Sequence, residues 1–153
     1  MEIKENLYLI PNAVDFQFYP RYLEKNFQKE EDRVTFLSSY LYPLLKDYDY
    51  IFLDVPLTLS LQNDTAFYFC DQIVVILQTQ ERSLTGAEMF IKYLSDTLIE
   101  DFNAKCDVLG VLPVLSKRKA AVDEEVLRLA SVEFGPEYIF KLDCNIKCNS
   151  LKS

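Results

Sequence analysis

The sequence predicts an α/β fold, a three-layer sandwich around a mostly parallel sheet. Strand-length apolar runs recur along the 153 residues, and amphipathic helical patterns lie between them. The run Ile73–Leu77 is apolar at every position, which is typical of a strand covered on both faces in a parallel sheet. Alternating strands and helices favour βαβ crossovers. We therefore expect one α/β domain over residues 1–153.

Five segments have the length and composition of strands. They are Leu7–Ile10, Tyr50–Leu53, Gln72–Leu77, Val108–Leu115 and Tyr138–Leu142. Helices are predicted over Asp32–Leu45, where Pro43 should kink or end the helix, and over Thr58–Phe69, Thr85–Phe102 and Asp123–Phe134. A capping box, Thr85 with Glu88, predicts the start of the third helix, and Gly135-Pro136 predicts the end of the fourth.

Composition excludes several classes of function. Histidine is absent, which excludes Ser-His-Asp and Cys-His catalysis. The net charge is −8, with 8 basic and 17 acidic side chains in residues 1–102, so direct DNA binding is expected to be weak or confined to the C-terminal third. The four cysteines form no CxxC pair, and no apolar run reaches a membrane-spanning length of about 18 residues. These features predict a cytoplasmic protein without membrane contact.

The segment Asp49–Pro56 carries the clearest chemical signal. An apolar run, Tyr50–Leu53, delivers the carboxylate of Asp54 at its C-terminal end, and the chain turns at Pro56 directly afterwards. A carboxylate in this position can hold Mg²⁺ through water or orient an attacking water beside a phosphate. The alternative is that Asp54 caps the following turn through backbone amides.

Several motifs together resemble the ParA/MinD-type partition ATPases. The stretch from Lys46 to Pro56, KDYDYIFLDVP, is similar to the family's switch region, YDYIIIDTPP. Asn6–Pro11 resembles its NLDLIPS strand, and Cys70–Gln78 resembles ADEVIIPVQ. Gln80–Gly86 resembles PEYFALEG, and Val108–Leu115 resembles ILGILLTM. Order and spacing agree from about residue 6 to residue 140, which corresponds to the C-terminal two-thirds of that family.

The resemblance implies a P-loop NTPase-like fold that lacks its N-terminal phosphate-loop unit. In an intact member it implies ATP and Mg²⁺ as cofactors and a role in plasmid or chromosome partition, or in plasmid replication. Asp54 would be the carboxylate on the Mg²⁺ or water side, and Pro56 would shape the switch turn. Ser116, Lys117 and Arg118 would lie on the adenine side.

Two departures from the family limit what the chain can do alone. Nothing resembles the phosphate-binding loop KGGVGKT, because the three glycines, Gly86, Gly110 and Gly135, are far apart. The motif DTPP is replaced by DVPL, with Val55 and Leu57 at the changed positions. We expect a fragment or degenerate relative that binds ATP weakly and is inactive alone, because successive backbone amides cradle the phosphates in such loops.

Two other functions remain open from the sequence. The strand-end aspartate is also similar to the phosphoacceptor of response-regulator receiver domains, although Asp15 supplies one acid where a receiver needs an adjacent pair. Alternatively, the chain is a non-catalytic interaction module that contacts a DNA-bound partition partner. A sheet without its N-terminal part should have unpaired edges, which predicts self-association.

Overall fold

A computed structural model describes residues 1–12, 14–56, 58–78, 81–114 and 121–140. The chain forms two compact units, Met1–Phe69 and Cys70–Ser153. A single domain over the whole chain stays a prediction. Within the described residues, no helix is long and apolar enough to cross a membrane.

The first unit combines a hairpin with three helices. Strands β1 (Glu2–Lys4) and β2 (Leu7–Tyr8) pair antiparallel, and Asn6 between them has a φ of 61°. A 3₁₀ turn leads into helix α1 (Tyr19–Asn26), whose first turn contains a proline; proline is favoured there because its fixed φ suits the helix. Helices α2 (Glu30–Leu41) and α3 (Leu61–Phe69) follow.

Helix α3 forms the centre of the first unit and packs against α1 and α2. Its residues Asn63–Phe67 are buried, as are Leu23 of α1 and Val34 of α2. Helix α2 begins with Glu30, Glu31 and Asp32, acids that suit the positive end of the helix dipole. The Phe36 ring of α2 lies 5.2 Å from the ring of Phe27 and 5.9 Å from that of Tyr22, measured between centroids. Apolar burial therefore holds these helices together.

The predicted strand at Tyr50–Leu53 is wrong. These residues belong to no strand, and no backbone–backbone hydrogen bond joins residues 49–55 to another described residue. The apolar sequence favours a strand, but a strand also needs a neighbour that takes up its backbone donors and acceptors. The predicted strand at Leu7–Ile10 is shortened to Leu7–Tyr8, because it pairs only with the short β1.

The second unit contains the parallel pairing that the sequence predicts. Strands β3 (Gln72–Gln78) and β4 (Asp107–Val114) are parallel, and helix α4 (Glu81–Tyr93) connects them. Helix α5 (Ala121–Phe134) follows and ends before Gly135, whose φ is 90°. This end confirms the predicted stop, because glycine adopts a positive φ without strain. Of the strand predicted at Tyr138–Leu142, the described residues form a single parallel bridge between Ile139 and Val111, and residues 141–142 lie outside the described residues.

The helices differ from prediction mainly at their ends. Helix α4 begins at Glu81, so Thr85 lies inside it and the predicted capping box is wrong. The helix continues from Leu94 to Ile99 as a π-helix. Its buried residues, Leu84, Ala87, Phe90, Leu94 and Leu98, follow helical spacing. Helix α5 begins at Ala121, which places Asp123 in its first turn and not at the cap. Helix α2 ends at Leu41, and Pro43 follows in a 3₁₀ turn, Tyr42–Asp47.

Strand β3 is buried on one face only, which corrects the expectation of two covered faces. Ile73, Val75 and Leu77 are buried, whereas Val74 and Ile76 on the other face are 40% and 51% exposed. The sequence could not show this difference, because β3 is apolar on both faces. The outer face of β3 is therefore apolar and partly exposed.

Candidate functional site

The candidate site is the loop that carries Asp54 and Pro56 and leads into α3. Asp54 is exposed, and among the described residues its carboxylate makes no hydrogen bond or ion pair. It follows Tyr50–Leu53, which is not a strand, so the predicted position at the C-terminal end of a strand is wrong. The exposed carboxylate is nevertheless accessible to a hydrated cation.

Pro56 lies in a turn that a buried asparagine holds. The Thr58 amide donates to the Pro56 carbonyl at 2.9 Å. Nδ2 of Asn63 lies 2.7 Å from the carbonyl oxygens of Pro56 and Thr58, and 2.9 Å from Oγ1 of Thr58. The Pro56 carbonyl therefore accepts two hydrogen bonds, one from the Thr58 amide and one from the Asn63 side chain. This arrangement gives Pro56 a defined place in the loop, and Leu57 lies outside the described residues.

Asn63 is the functional candidate that the sequence did not reveal. Its side chain is 1% exposed, and the Nδ2 group has two hydrogens for its three acceptors. The backbone amides of Asn63 and Asp64 both donate to the Ser60 carbonyl at 2.9 Å, so Ser60 caps α3. Asn63 thus connects the first turn of a packed helix to the loop after Asp54. The one available signal was an asparagine in the first helical turn directly after a proline-containing loop.

Ser116, Lys117 and Arg118 lie outside the described residues. Over the described ranges, no group of three His, Cys, Asp or Glu side chains could hold a metal ion. One exposed carboxylate fits the outer side of a hydrated Mg²⁺, but the described loops contain no run of glycine amides for a triphosphate. The described residues therefore do not fit ATP.

Two thiols of the second unit have environments that keep them protonated. Cys70 and Cys106 are free cysteines at the starts of β3 and β4. Burial, then the Cys106 thiol and the Asp71 carboxylate, raise the pKa of Cys70 to about 11. Burial also raises the pKa of Cys106. Nucleophilic attack requires the thiolate, so neither cysteine suits nucleophilic catalysis near neutral pH.

Comparison with known proteins places this geometry in a family. Residues 1–108 match the family described as AAA domain. This chain belongs to that family. The match includes the Asp54 loop, α3 and β3, and it indicates a ParA-like, P-loop NTPase-like α/β domain.

Two relatives extend the comparison beyond residue 108. The uncharacterized proteins MT1749 and Rv1708 of Mycobacterium tuberculosis, from strains CDC 1551 and H37Rv, are each 24% identical over 131 residues. The alignments cover 86% of this chain and 40% of each relative. The AAA-domain chain therefore spans less than half the length of the curated relatives it matches. Nucleotide and Mg²⁺ are the cofactors that the intact family implies.

Proposed function

We propose that this AAA-domain chain acts in plasmid or chromosome partition, or in plasmid replication, and does not hydrolyse ATP alone. The supporting observation is the loop after Tyr50–Leu53, which presents an exposed carboxylate at Asp54 and is held by Asn63. This loop lies inside the family match at residues 1–108. A three-layer sandwich with a mostly parallel sheet is the fold we propose for the complete family unit.

The glycines explain why weak nucleotide binding is expected. Gly86 lies inside α4, Gly110 inside β4, and Gly135 directly after α5. Two of the three glycines thus lie within a helix or a strand, and the third ends a helix. None of them belongs to a glycine-rich loop. A triphosphate needs several consecutive amides and a positive side chain to replace its hydration. Asp54 alone adds negative charge and would repel an unshielded phosphate.

Calorimetry with Mg-ATP tests this proposal. The chain should give no saturable heat below about millimolar concentration, a free energy near −4 kcal/mol, and no phosphate release above buffer. The Asp54→Ala variant serves as the matched control and should behave like the parent. A micromolar isotherm that disappears in Asp54→Ala would overturn the proposal and reveal a phosphate site in this chain.

The proposed partners follow from the same role. We expect self-association and contact with a DNA-bound partition protein in the cytoplasm, with direct DNA contact limited to the C-terminal third. The first unit holds 6 basic and 11 acidic side chains, so it repels the phosphate backbone. An electrophoretic shift with the chain and bare DNA should therefore stay weak and disappear at physiological salt.

A receiver-like function is the second candidate, because Asp54 is exposed after an apolar segment. Incubation with acetyl phosphate followed by mass spectrometry distinguishes the two. A receiver would gain one phosphoryl group, about 80 Da, on Asp54, since phosphorylation adds one phosphate to the acceptor. The ParA-like proposal expects no mass change.

A further inference from the structure

Cys70 and Cys106 lie at the starts of two neighbouring parallel strands. Cys70 stands two residues before β3, and Cys106 stands directly before β4. The pairing of the two strands extends to this point, because Gln72 pairs with Asp107 and the Asp107 amide donates to the Asp71 carbonyl at 3.0 Å. The backbone is therefore joined at the residue that follows each cysteine.

This pairing brings the two cysteines within the range of a disulfide bond. One step before the pair of Gln72 and Asp107, Cys106 lies opposite Asp71, and Cys70 is one residue further along that chain. Neighbouring strands lie about 4.8 Å apart and rise about 3.3 Å per residue, which places the two Cα atoms roughly 6 Å apart. Disulfides join Cα atoms that are about 4.4–6.8 Å apart.

The thiols share one buried environment. Exposed and buried residues alternate along β3, but Asp71 and Gln72 are both exposed. The alternation therefore breaks at Asp71, where the chain bends, and Cys70 is half-buried. Cys106 is 5% exposed. After burial, the Cys106 thiol is the main cause of the raised pKa of Cys70, and such charge interactions act mainly over about 4–6 Å.

We propose that Cys70 and Cys106 form a reversible disulfide under oxidising conditions, which joins the starts of β3 and β4. A small disulfide such as oxidised glutathione is the oxidant. The half-buried Cys70 loses its proton and attacks one sulfur of the oxidant, which leaves a mixed disulfide and releases one glutathione. Cys106 then loses its proton, attacks the Cys70 sulfur and releases the second glutathione. Each departing sulfur takes up a proton, so two protein thiols are oxidised and the oxidant is reduced to two thiols.

The environment of the pair makes this exchange slow and its product stabilising. A thiol that stays protonated supplies little thiolate, so the pair responds to sustained oxidation and not to a brief exposure. The bond closes a loop that contains β3 and α4, which restricts the unfolded chain. Disulfides of cytosolic proteins are usually transient or redox-sensing. This inference concerns the second unit alone and does not depend on nucleotide binding or on a role in partition.

The test uses the full chain with Cys144→Ser and Cys148→Ser, which leaves Cys70 and Cys106 as its two thiols. Both replaced residues lie outside the described residues. The protein is equilibrated at pH 8.5 over a series of ratios of reduced to oxidised glutathione, then acidified, alkylated and mapped by mass spectrometry without reduction. We expect a cross-linked pair of peptides that contains Cys70 and Cys106 and has lost two hydrogens.

The unfolded chain provides the reference. The same equilibration in concentrated urea should need a ratio of reduced to oxidised glutathione at least about tenfold lower to oxidise half of the chains, because the fold holds the two thiols close together. Oxidation of the folded chain should raise the midpoint of urea denaturation by about 1 M. Reduction with dithiothreitol should return the midpoint to its first value.

The matched control adds Cys70→Ser to the same double variant, which leaves one thiol. Glutathione treatment of this control should give no cross-link within the chain and no rise in the urea midpoint. Three outcomes would each overturn the inference: glutathione attached to Cys70 at equilibrium without a cross-link, a disulfide between two chains in place of one within the chain, or equal glutathione ratios for the folded and unfolded chains.

Discussion

Asp54 and Asn63 belong to the same loop but differ in how strongly the fold depends on them. The carboxylate of Asp54 is exposed and has no hydrogen bond among the described residues, whereas Asn63 is buried and bridges two carbonyl groups. Exposure makes a residue tolerant of substitution, while a buried donor that satisfies two acceptors is costly to remove. The accessible carboxylate and the buried amide that holds the loop are thus separate groups.

We first predict that Asp54→Asn and Asp54→Ala each change the free energy of unfolding by less than about 1 kcal/mol. No charge pair or cap is lost, since the described contacts of Asp54 include neither. Urea denaturation beside the parent chain measures this change. A loss above about 3 kcal/mol would favour the turn-capping role for Asp54.

The second prediction concerns Asn63. Replacement by Ala leaves the carbonyls of Pro56 and Thr58 without their side-chain donor, so the chain should lose about 1–3 kcal/mol of stability. Asn63→Asp should cost more, because a carboxylate would face two carbonyl oxygens. Limited proteolysis gives an independent measure, and cleavage near residues 55–59 should accelerate in both variants. Unchanged cleavage would show that Asn63 does not hold the loop.

The third prediction compares two glycines. An added Cβ meets nothing within 4 Å at Gly86 in α4, so Gly86→Ala should stabilise the chain by about 0.5–1 kcal/mol. At Gly110 in β4 the added Cβ would lie 2.6 Å from the carbonyl oxygen of Tyr138. Gly110→Ala should therefore cost about 1–3 kcal/mol. Thermal melts of both variants provide the check, and a stabilised Gly110→Ala would contradict the packing of residues 138–140 on β4.

The fourth prediction is a pH dependence at Cys70. Burial raises the pKa of this thiol from 9.0, its value in the unfolded chain, to about 11 in the fold. The folded chain therefore keeps this proton between pH 9 and about 11, where the unfolded chain releases it. The unfolded state binds fewer protons in this window. The contribution of Cys70 to the free energy of unfolding is therefore fully present below pH 9 and decreases as the pH rises toward 11.

Denaturation with urea at pH 8 and at pH 10.5 tests the thiol contribution. The midpoint should fall between the two values in the parent chain and fall less in Cys70→Ala. Comparing the two proteins removes the shared effects of Tyr and Lys titration. An equal fall in both would assign the pH dependence to other groups.

At the scale of elements, local patterns predicted the second unit better than the first. Strands β3 and β4 and helices α4 and α5 were all predicted to within a few residues at most ends, because each carries a long apolar pattern. Helix α1 was missed, since its eight residues, YPRYLEKN, bury only Leu23 among the described side chains. The prediction of a strand at Tyr50–Leu53 failed for a different reason. Its side chains favour a strand, but pairing depends on a neighbour that local sequence does not specify.

The candidate site was likewise predictable only in part. Asp54 was predicted because it directly follows an apolar run, and Pro56 because proline turns the chain at the next step. Asn63 was not, because a hydrogen bond back to Pro56 depends on how the loop folds onto α3. Side chains that act through backbone carbonyls leave no spacing pattern in a sequence.

At the scale of the whole molecule, the outer face of β3 suggests how copies of the chain associate. Val74 and Ile76 are exposed there, and their partners in register on β4 are the buried Gly110 and the half-buried Leu112. The outward positions of β3 are Gln72, Val74, Ile76 and Gln78, and none is charged. Two such faces can meet without charge repulsion, and exposed apolar patches commonly mark protein interfaces.

We therefore predict that the chain forms dimers or larger species through this face. Multi-angle light scattering across a concentration series should give a mass above the 17.9 kDa of one chain. Ile76→Lys should shift the chain toward the monomer, because it places a charge where two apolar faces would meet. Ile51→Lys is the matched control and should leave the mass unchanged, since it adds the same charge at an exposed isoleucine outside this face. A monomeric parent chain at high concentration, or a mass insensitive to Ile76→Lys, would exclude this face as the site of self-association.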